Sequence, residues 1–222
     1  RKVNPSPFSG FLKFNDFILV SSSPERLIKV SNDTIESRPI AGTRPRSNIA
    51  EEDNALAKEL LLNDKERAEH LMLVDLERND LGRICEAGSV QVTDFMLLEK
   101  YSHVSHIVSN ISGRLLPDLS IFEILKAVFP GGTITGCPKI RCMEIINELE
   151  PVERGPYSGS FGYIGYAPYL DLNIIIRSIL INNGKASFHV GAGIVADSIP
   201  ENEYQETLDK AAAMMEALSA ES

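Results

Sequence analysis

The sequence predicts an α+β fold built from largely antiparallel β-sheets flanked by helices. Most apolar segments alternate with polar residues and follow one another through short turn signals, as the strands of β-hairpins do. Helical periodicity is confined to a few segments that lie between groups of strands. This order differs from the regular strand–helix alternation of a doubly wound parallel sheet, so it favours one α+β domain over residues 1–222.

The N-terminal part of the chain predicts strands. Residues 4–10 are a turn-rich cluster, and residues 11–23 have the pattern of a hairpin. Residues 26–40 alternate about a turn at Ser31-Asn32-Asp33 and predict two more strands. The following segment, 41–47, contains Gly and Pro and is expected to be a loop.

The remaining elements follow from periodicity and from start and stop signals. Helical periodicity runs from about Glu51 to Leu81, and Asn63-Asp64 breaks it and offers an N-cap for a second helix. Asn182-Asn183-Gly184 is a strong signal for a type I′ hairpin turn. The other predicted elements are strands over 89–115, a short helix over 120–129, a glycine-rich loop over 129–139, a helix from Pro138 to Glu150, strands over 159–166, 171–181 and 186–197, and a helix from Pro200 to Ala211.

Composition limits the classes of function. With 43% hydrophobic and 24% charged residues, a chain of 222 residues has enough apolar side chains for a sizeable core. A net charge of −9 without a Lys/Arg-rich run argues against nucleic acid and against an anionic membrane surface as partners. No apolar run is long enough to span a bilayer, and no signal peptide is visible. Cys85, Cys137 and Cys142 lack metal-ligand spacing, so we expect reduced thiols in a cytoplasmic protein.

Two helices carry paired glutamates at helical spacing. In the last helix, Glu203, Glu206 and Lys210 fall on one face, which in most proteins would be a solvated, salt-bridged surface. Glu66 and Glu69 repeat the E-x-x-E spacing on another predicted helix. Magnesium takes one or two carboxylates directly, keeps several waters and binds an anionic substrate. The two helices together therefore predict a magnesium site.

Three features could bind an anion, and each has a structural alternative. The loop before Lys139 differs from the P-loop pattern but leads into a helix N-terminus, so it is either a general anion site or a tight turn. Arg177 ends an apolar strand, where it meets either a ligand carboxylate or an internal acid. The glycines of the segment 191–195 mark either a backbone site for a carboxylate or a bulge.

Three further titratable residues stand out. Glu25 follows Ser-Pro at a strand end, where a carboxyl in a partly closed cleft could act as a general acid, although a single Glu is more often a surface residue. His106 alternates with Val104 and Val108, the usual setting of a hydrogen-bonded core histidine. His70, next to Glu69, has an equal claim to a structural role.

The chain resembles the chorismate-utilising enzymes, namely component I of anthranilate synthase and of aminodeoxychorismate synthase, and the isochorismate and salicylate synthases. The matching stretches keep the family order and cover nearly all of the chain. They are SPERL, SRPIAGTRPR, ERAEHLMLVDLERNDLGR, YSHVSHIVSNISGRL, FPGGTITGCPKIRCMEIINELEP, GSFGYIGY, GAGIVADS and EYQETLDKA.

The resemblance implies roles for individual residues. Magnesium would be bound directly by Glu69 and Glu206 and through water by Glu66 and Glu203. Glu25 would be the general acid that helps the C4 hydroxyl of chorismate to leave. The implied carboxylate-binding groups are Tyr163, Arg177, Lys210 and the backbone of Gly191, Ala192 and Gly193, and the implied ring-lining residues are Gly42, Thr43, His106 and Thr135, of which Thr43 and His106 count with Glu25 as catalytic.

Within that family, the sequence favours aminodeoxychorismate synthase, a transferase of para-aminobenzoate and folate synthesis that uses ammonia from a glutamine amidotransferase partner. TGCPKIRCMEII, GSFGYIGY and DLNIIIRS look like the para-aminobenzoate branch, whereas YSHVSHIVSN is close to the anthranilate pattern. Ala41 stands where some relatives carry a nucleophilic lysine, which excludes a lysine adduct but fits both branches.

Other activities remain as alternatives. The nearest one is anthranilate synthase component I, a lyase that makes anthranilate and pyruvate for tryptophan synthesis. An isochorismate-type isomerase and a non-catalytic remnant are further alternatives. The resemblance also implies that the N-terminal part of the catalytic domain lies outside this sequence, which begins at Arg1.

Overall fold

The computed structural model describes residues 4–101, 104–166 and 169–219. The chain forms two compact units. Unit 1 comprises Arg1–Glu25, Leu149–Gly162 and Asn173–Ser222, and unit 2 comprises Arg26–Glu148 and Tyr163–Leu172. Among the described residues, no helix combines the length and the apolar character that crossing a membrane requires.

Unit 1 contains an antiparallel sheet and the last helix. The sheet has the order β1-β2-β10-β11, and Asn182 pairs with Lys185 at the β10–β11 turn, as the Asn-Gly signal predicts. Asn183 and Gly184 occupy this turn with φ of 50° and 72°. The elements are β1 (Phe8–Lys13), β2 (Phe17–Ser23), β10 (Ser178–Asn182), β11 (Lys185–Ser187) and α5 (Pro200–Ser219).

Unit 2 contains a larger sheet and four helices among its described residues. The sheet has the order β5-β7-β4-β3-β9-β8, and β6 also pairs with β7. The strands are β3 (Arg26–Ser31), β4 (Thr34–Ser37), β5 (Ile40–Pro45), β6 (Gln91–Lys100), β7 (Val104–Arg114), β8 (Gly162–Ile164) and β9 (Tyr169–Asn173). The helices are α1 (Ala50–Leu62), α2 (Asp64–Gly82), α3 (Ile121–Val128) and α4 (Lys139–Leu149), and a short 3₁₀ helix covers Gly132–Ile134.

Local capping signals account for the starts of α2 and α3 in unit 2. The Asn63 side chain accepts a hydrogen bond from the backbone N–H of Glu66 at 3.0 Å, so the break between α1 and α2 lies where the sequence predicts it. Ser120 and Glu123 form a capping box at the start of α3. The α+β class with antiparallel sheets and flanking helices is confirmed.

The predicted loop over 41–47 is wrong, because most of it belongs to β5. Gly42 has a φ of +66°, and the β5–β7 register shifts between Ala41 and Thr43. This irregularity lets the strand continue through the Gly-containing sequence. The turn-rich cluster over 4–10 is also partly wrong, since β1 begins at Phe8.

Two predicted strands are shorter than expected. The segment 171–181 divides into β9 and β10, because Ile175 exchanges backbone hydrogen bonds with Ser158 and Gly159 and Arg177 adopts a φ of 50°. The segment 186–197 leaves the sheet after Ser187, and further on Val195 and Ser198 bond to each other in a local turn.

A cluster of charges ties α2 to α3 and α4. Asp80 on α2 is 6% exposed and accepts hydrogen bonds from Lys139 Nζ and from Arg83 Nη2, both at 2.5 Å. Lys139 also donates to the carbonyl of Val128 and Arg83 to that of Ala127, at the C-terminus of α3. Cations at a helix C-terminus are favourable for the helix dipole, so the cluster satisfies both Asp80 and the end of α3.

We expect Asp80→Asn to lower the free energy of unfolding by about 3 kcal/mol, because it leaves the charge of Lys139 buried without its carboxylate. Asp75→Asn on the same helix is the matched control, since the Asp75–Arg78 pair is exposed and such pairs contribute roughly 1 kcal/mol or less. Urea unfolding of both variants measures the difference. Equal losses in the two variants would contradict the structural importance of the cluster.

Candidate active site

The first part of the candidate site is the guanidinium of Arg177 in unit 1. Arg177 lies directly before β10, and its carbonyl accepts a hydrogen bond from Ser22 N at 3.1 Å. Its side chain is half-buried and, among the described residues, makes no hydrogen bond or ion pair. Burial lowers the pKa of Arg177, and the charge of Glu25, the Tyr157 phenol and the charge of Glu206 oppose that effect. An arginine remains charged at neutral pH in such a place, so it can receive an anion.

Tyr157 lies against Gly191, and its phenol acts electrostatically on Arg177. Its ring stacks on His189 with centroids 5.5 Å apart, and the guanidinium of Arg154 lies 5.7 Å from its centroid. A Cβ atom at Gly191 would come within 3.1 Å of the Tyr157 hydroxyl, so the phenol can approach the backbone because residue 191 is glycine. Burial raises the pKa of Tyr157, and the phenol therefore keeps its proton as a hydrogen-bond donor.

Sequence reasoning missed Tyr157. It has no charge and no motif spacing, and the turn sequence Gly155-Pro156-Tyr157 gives no sign of a site. The residue becomes noticeable only when the fold brings it to Gly191, more than thirty positions along the chain.

The last helix contributes Lys210 to the same unit. Lys210 Nζ donates to the carbonyl of Gly191 at 3.0 Å and forms an ion pair with Glu206 Oε1 at 2.5 Å. The i, i+4 spacing therefore places Glu206 and Lys210 together, as the sequence predicts. Glu203, one turn earlier, is 4% exposed and lines a cavity of about 470 Å³ with Ala192 and other residues of the same unit.

Glu25 is held by the backbone around it. It is 7% exposed, its carbonyl accepts a hydrogen bond from Ile174 N at 3.1 Å, and Ser23 Oγ donates to the carbonyl of Ile174 at 2.6 Å. The Glu25 carboxylate acts electrostatically on Arg177. Unit 1 thus brings together a buried carboxyl, a half-buried guanidinium and an ammonium on a glycine backbone. Such a set can bind a carboxylate and deliver a proton close to it.

In unit 2, the neighbouring strands β5 and β7 bring Gly42, Thr43 and His106 together. Thr43 pairs with His106, and His106 Nδ1 lies 3.1 Å from Thr43 Oγ1 and 3.1 Å from the carbonyl oxygen of Gly42. A carbonyl only accepts hydrogen bonds, so Nδ1 carries a hydrogen when it bonds to Gly42. His106 is 8% exposed, and the hydrophobic residues that follow it on β7 are also buried. This agrees with the core setting that the sequence analysis describes for His106.

The same strand positions a glutamate of α2. A Cβ atom at Gly42 would lie 2.9 Å from Glu66 Oε2. Only glycine at position 42 therefore leaves room for this carboxylate. Arg44 donates to Glu66 Oε1 at 3.3 Å and to both carboxylate oxygens of Glu59, at 2.9 and 2.8 Å. The sequence analysis found neither Arg44 nor Glu59, because their partners lie on other elements.

The four glutamates of the expected magnesium site are divided between the helices α2 and α5. Glu66 and Glu69 are half-buried on α2, and on α5 Glu203 is buried and Glu206 exposed. Within neither unit, over the described ranges, do three or more His, Cys, Asp or Glu side chains form a metal-holding group. Each helix offers two carboxylates, and carboxylate oxygens are the donors that magnesium prefers, so the donor set fits this ion.

The other candidate residues have contacts within unit 2. Thr135 Oγ1 donates to the carbonyl of Gly131 within the glycine-rich loop. Tyr163 is 58% exposed in unit 2, where it stacks on Tyr169 with their hydroxyls 3.3 Å apart. The Lys139 ammonium pairs with Asp80, which favours the alternative of a tight turn over a general anion site in the loop before it.

His70 has a structural environment. It is fully buried, and its Nε2 lies 2.6 Å from Ser109 Oγ on β7. Burial lowers the pKa of His70 to about 4, so the ring is neutral at physiological pH. This favours the structural alternative of the sequence analysis for His70.

Comparison with known proteins identifies the family of this chain. The profile of the chorismate binding enzyme family matches residues 1–216. An aminodeoxychorismate synthase component 1 from Bacillus subtilis is 56% identical over 98% of this chain and 46% of its own length. An anthranilate synthase component 1 from Acetivibrio thermocellus is 51% identical over 98% of this chain and 44% of its own length. The crystal structure of anthranilate synthase component I from Streptococcus pneumoniae matches with a TM-score of 0.87 at 48% identity, covering 96% of this chain and 47% of that one.

This chain belongs to the family of chorismate binding enzymes. It spans slightly less than half the length of the two relatives. One relative is named as an aminodeoxychorismate synthase and the other as an anthranilate synthase, and their component numbering indicates that those proteins work with a partner component. The resemblance deduced from the motifs is therefore confirmed at the level of the family.

Proposed function

We propose that this chain carries catalytic groups of a magnesium-dependent enzyme that adds ammonia to chorismate and forms 4-amino-4-deoxychorismate. The observation that carries the proposal is the guanidinium of Arg177, which is half-buried and without an ion pair among the described residues. Chorismate is a dianion with two carboxylates, the type of ligand that a bidentate guanidinium binds well. A chain with a net charge of −9 needs such local cations to attract a dianion.

Carboxylate binding is assigned to residues of unit 1. Arg177 would meet one substrate carboxylate bidentately, and Lys210 with the N–H groups of the segment 191–193 would bind beside it. Tyr157 joins this set, because its hydroxyl lies against Gly191 and its phenol acts electrostatically on Arg177. Tyr163, the tyrosine that the resemblance implied, remains a proposal of lower structural support, since it stacks on Tyr169 in unit 2.

Proton transfer is assigned to Glu25. Ammonia forms a C–N bond to the ring while the C4–O bond breaks, and the carboxyl of Glu25 gives its proton to the departing oxygen, which leaves as water. Burial and a bound dianion favour the protonated form of the Glu25 carboxyl and so oppose the effect of the neighbouring Arg177 charge, which suits it to this work. The residues proposed to line the ring are Gly42, Thr43, His106 and Thr135.

Magnesium is assigned to the two E-x-x-E pairs. Glu69 and Glu206 would bind the ion directly, and Glu66 and Glu203 would hold its water ligands. When bound, the ion supplies positive charge that neutralises a carboxylate of the substrate. Arg44 holds Glu66, and Lys210 holds Glu206, so both carboxylates are oriented before the ion arrives.

Ammonia is proposed to come from a glutamine amidotransferase partner, in keeping with relatives that are named as component 1. The aminodeoxychorismate branch is favoured by TGCPKIRCMEII, GSFGYIGY and DLNIIIRS. The second candidate function is anthranilate synthesis, and the YSHVSHIVSN stretch and the 51% identical relative favour it.

The test is product analysis with chorismate, magnesium and an ammonium salt, followed by chromatography. We expect aminodeoxychorismate, which yields para-aminobenzoate only after a separate lyase is added. Anthranilate with pyruvate would overturn the proposed branch in favour of the second candidate. Turnover without any ammonia source would indicate an isochorismate-type isomerase, and binding without turnover in the full-length protein would indicate a non-catalytic remnant.

Glu25→Gln is expected to lower kcat by roughly a hundredfold or more, because a proton donor near the leaving oxygen is lost. The affinity for chorismate is expected to change little, since Arg177 and Lys210 remain. Steady-state kinetics and equilibrium binding on the same preparation separate the two effects. A defect in binding alone would remove Glu25 from the role of general acid.

Glu206→Gln is expected to abolish the magnesium-dependent activity while the fold survives. The Glu206–Lys210 pair is exposed on a helix surface, so its loss costs roughly 0.5 kcal/mol of stability. Calorimetric titration with magnesium and chorismate, together with thermal unfolding, measures both quantities. The control is Glu216→Gln on the same helix. Normal magnesium-dependent activity in Glu206→Gln would refute the metal assignment.

Tyr157→Phe is expected to weaken chorismate binding about tenfold, since one hydrogen bond to a charged group is lost while the ring still stacks on His189. Tyr163→Phe is the matched comparison and is expected to have a smaller effect. Binding of chorismate to both variants by calorimetry decides between the two tyrosines. The larger loss in Tyr163→Phe would restore the original assignment.

A further inference from the structure

His106 lies between two cross-strand neighbours. In the β5–β7 pair it faces Thr43, and in the β6–β7 pair it faces Glu99. Directly opposed residues of neighbouring strands project from the same side of a sheet with their Cβ atoms about 5 Å apart. The carboxylate of Glu99 and the imidazole of His106 are therefore neighbours on one sheet face.

Glu99 is fixed by two donors. Arg38 Nη2 forms an ion pair with Glu99 Oε1, and the Tyr101 hydroxyl donates to Glu99 Oε2 at 2.7 Å. Burial alone would raise the pKa of Glu99, but the bonds from Tyr101 and Arg38 and the charges of Arg38 and His106 outweigh it and lower that pKa. Glu99 is thus an anion at neutral pH.

Tyr101 connects this carboxylate to the imidazole. Its ring meets the ring of His106 edge-on, with centroids 5.6 Å apart and an interplanar angle of 62°. Burial and the bond to Glu99 raise the pKa of Tyr101 to about 12, so the phenol stays protonated and keeps donating to Glu99. A phenol that is anchored at its hydroxyl limits the rotation of the histidine ring beside it.

We propose that Glu99 is a positioning residue for His106: together with Arg38 and Tyr101 it holds the imidazole with Nδ1 on the Gly42 carbonyl, and its negative charge stabilises the protonated ring. The catalytic consequence rests on the proposed function, in which His106 lines the chorismate ring. The effect of Glu99 on the ring itself does not depend on that function.

Several charged groups on the elements packed against β7 are paired with other side chains. Lys100 on β6 binds Asp53, and Arg44 on β5 binds Glu59 and Glu66. On the side of α2, His70 contacts Ser109 of β7, and the Glu66 carboxylate lies at Gly42, where it is paired with Arg44. Glu99, Tyr101 and Arg38 are therefore the groups whose substitution is expected to act on His106.

The test is the protonation midpoint of His106, followed by NMR of the imidazole in the chain without substrate and assigned with His106→Asn. Glu99→Gln is expected to lower the midpoint by roughly one pH unit, because a neighbouring anion is lost. Arg38→Met is expected to raise it, because Glu99 then acts without its neutralising cation. Glu99→Asp retains the charge and should stay close to the wild type. Asp94→Asn, an exposed carboxylate on the same strand, is the matched control and should leave the midpoint unchanged.

Opposite shifts in Glu99→Gln and Arg38→Met support the proposal, because a merely structural role would not give them opposite signs. An unchanged midpoint in Glu99→Gln, or equal shifts in Glu99→Gln and Asp94→Asn, would overturn it. If Glu99→Gln does not fold, an unchanged midpoint in Arg38→Met overturns it as well.

Turnover is the second readout. Where the wild-type protein converts chorismate, Glu99→Gln is expected to lower kcat about tenfold with little change in KM. A tenfold change corresponds to a shift of about one pH unit in the protonation midpoint of His106. The expected midpoint shifts without any chorismate turnover in the wild type would refute the proposed function and leave the role of Glu99 intact.

Discussion

A charged guanidinium that is half removed from water, with no carboxylate of the described residues bound to it, is the constraint around which unit 1 is arranged. Burying such a charge costs free energy unless a ligand pairs with it. The backbone of Arg177 has a positive φ and bonds to β2 next to β10, and among the described residues no ion pair holds its side chain. The neighbouring groups are consistent with a carboxylate ligand, since the Tyr157 hydroxyl lies against Gly191 and Lys210 donates a hydrogen bond to the carbonyl of the same glycine. Strain and unbalanced charge of this kind concentrate at functional sites.

Unit 2 shows the opposite use of charge, because several of its ionisable groups are paired with one another. Asp80 pairs with two cations and connects α2 to α3 and α4. Arg44 binds two glutamates near Gly42. Since β7 pairs with strands on both of its sides, it carries His106 into a position where Thr43 and Glu99 face it. The paired strands of this unit therefore fix the position of the His106 ring relative to the Gly42 carbonyl.

Sequence patterns predicted the features that depend on local spacing. The hairpin at Asn183-Gly184, the cap at Asn63 and the shared face of Glu206 and Lys210 follow from residues a few positions apart. Features that depend on distant partners were not predictable in this way. Lys139 seemed available to an anion because Asp80, its partner, lies 59 residues away. Tyr157 went unnoticed because only the fold brings Gly191 to it. The segment 41–47 had the composition of a loop, yet pairing with β7 makes most of it a strand.

The measurement that tests the central claim most directly is the affinity of chorismate for the wild-type chain and for Arg177→Gln, by calorimetry in the presence of magnesium. Arg141→Gln, which removes an exposed arginine of α4, is the control. The account predicts a loss of affinity of roughly 10- to 100-fold in Arg177→Gln, as expected for a charged hydrogen-bonded contact, with an unchanged thermal midpoint. Equal affinity in all three proteins would show that Arg177 does not receive a substrate carboxylate and would contradict the account.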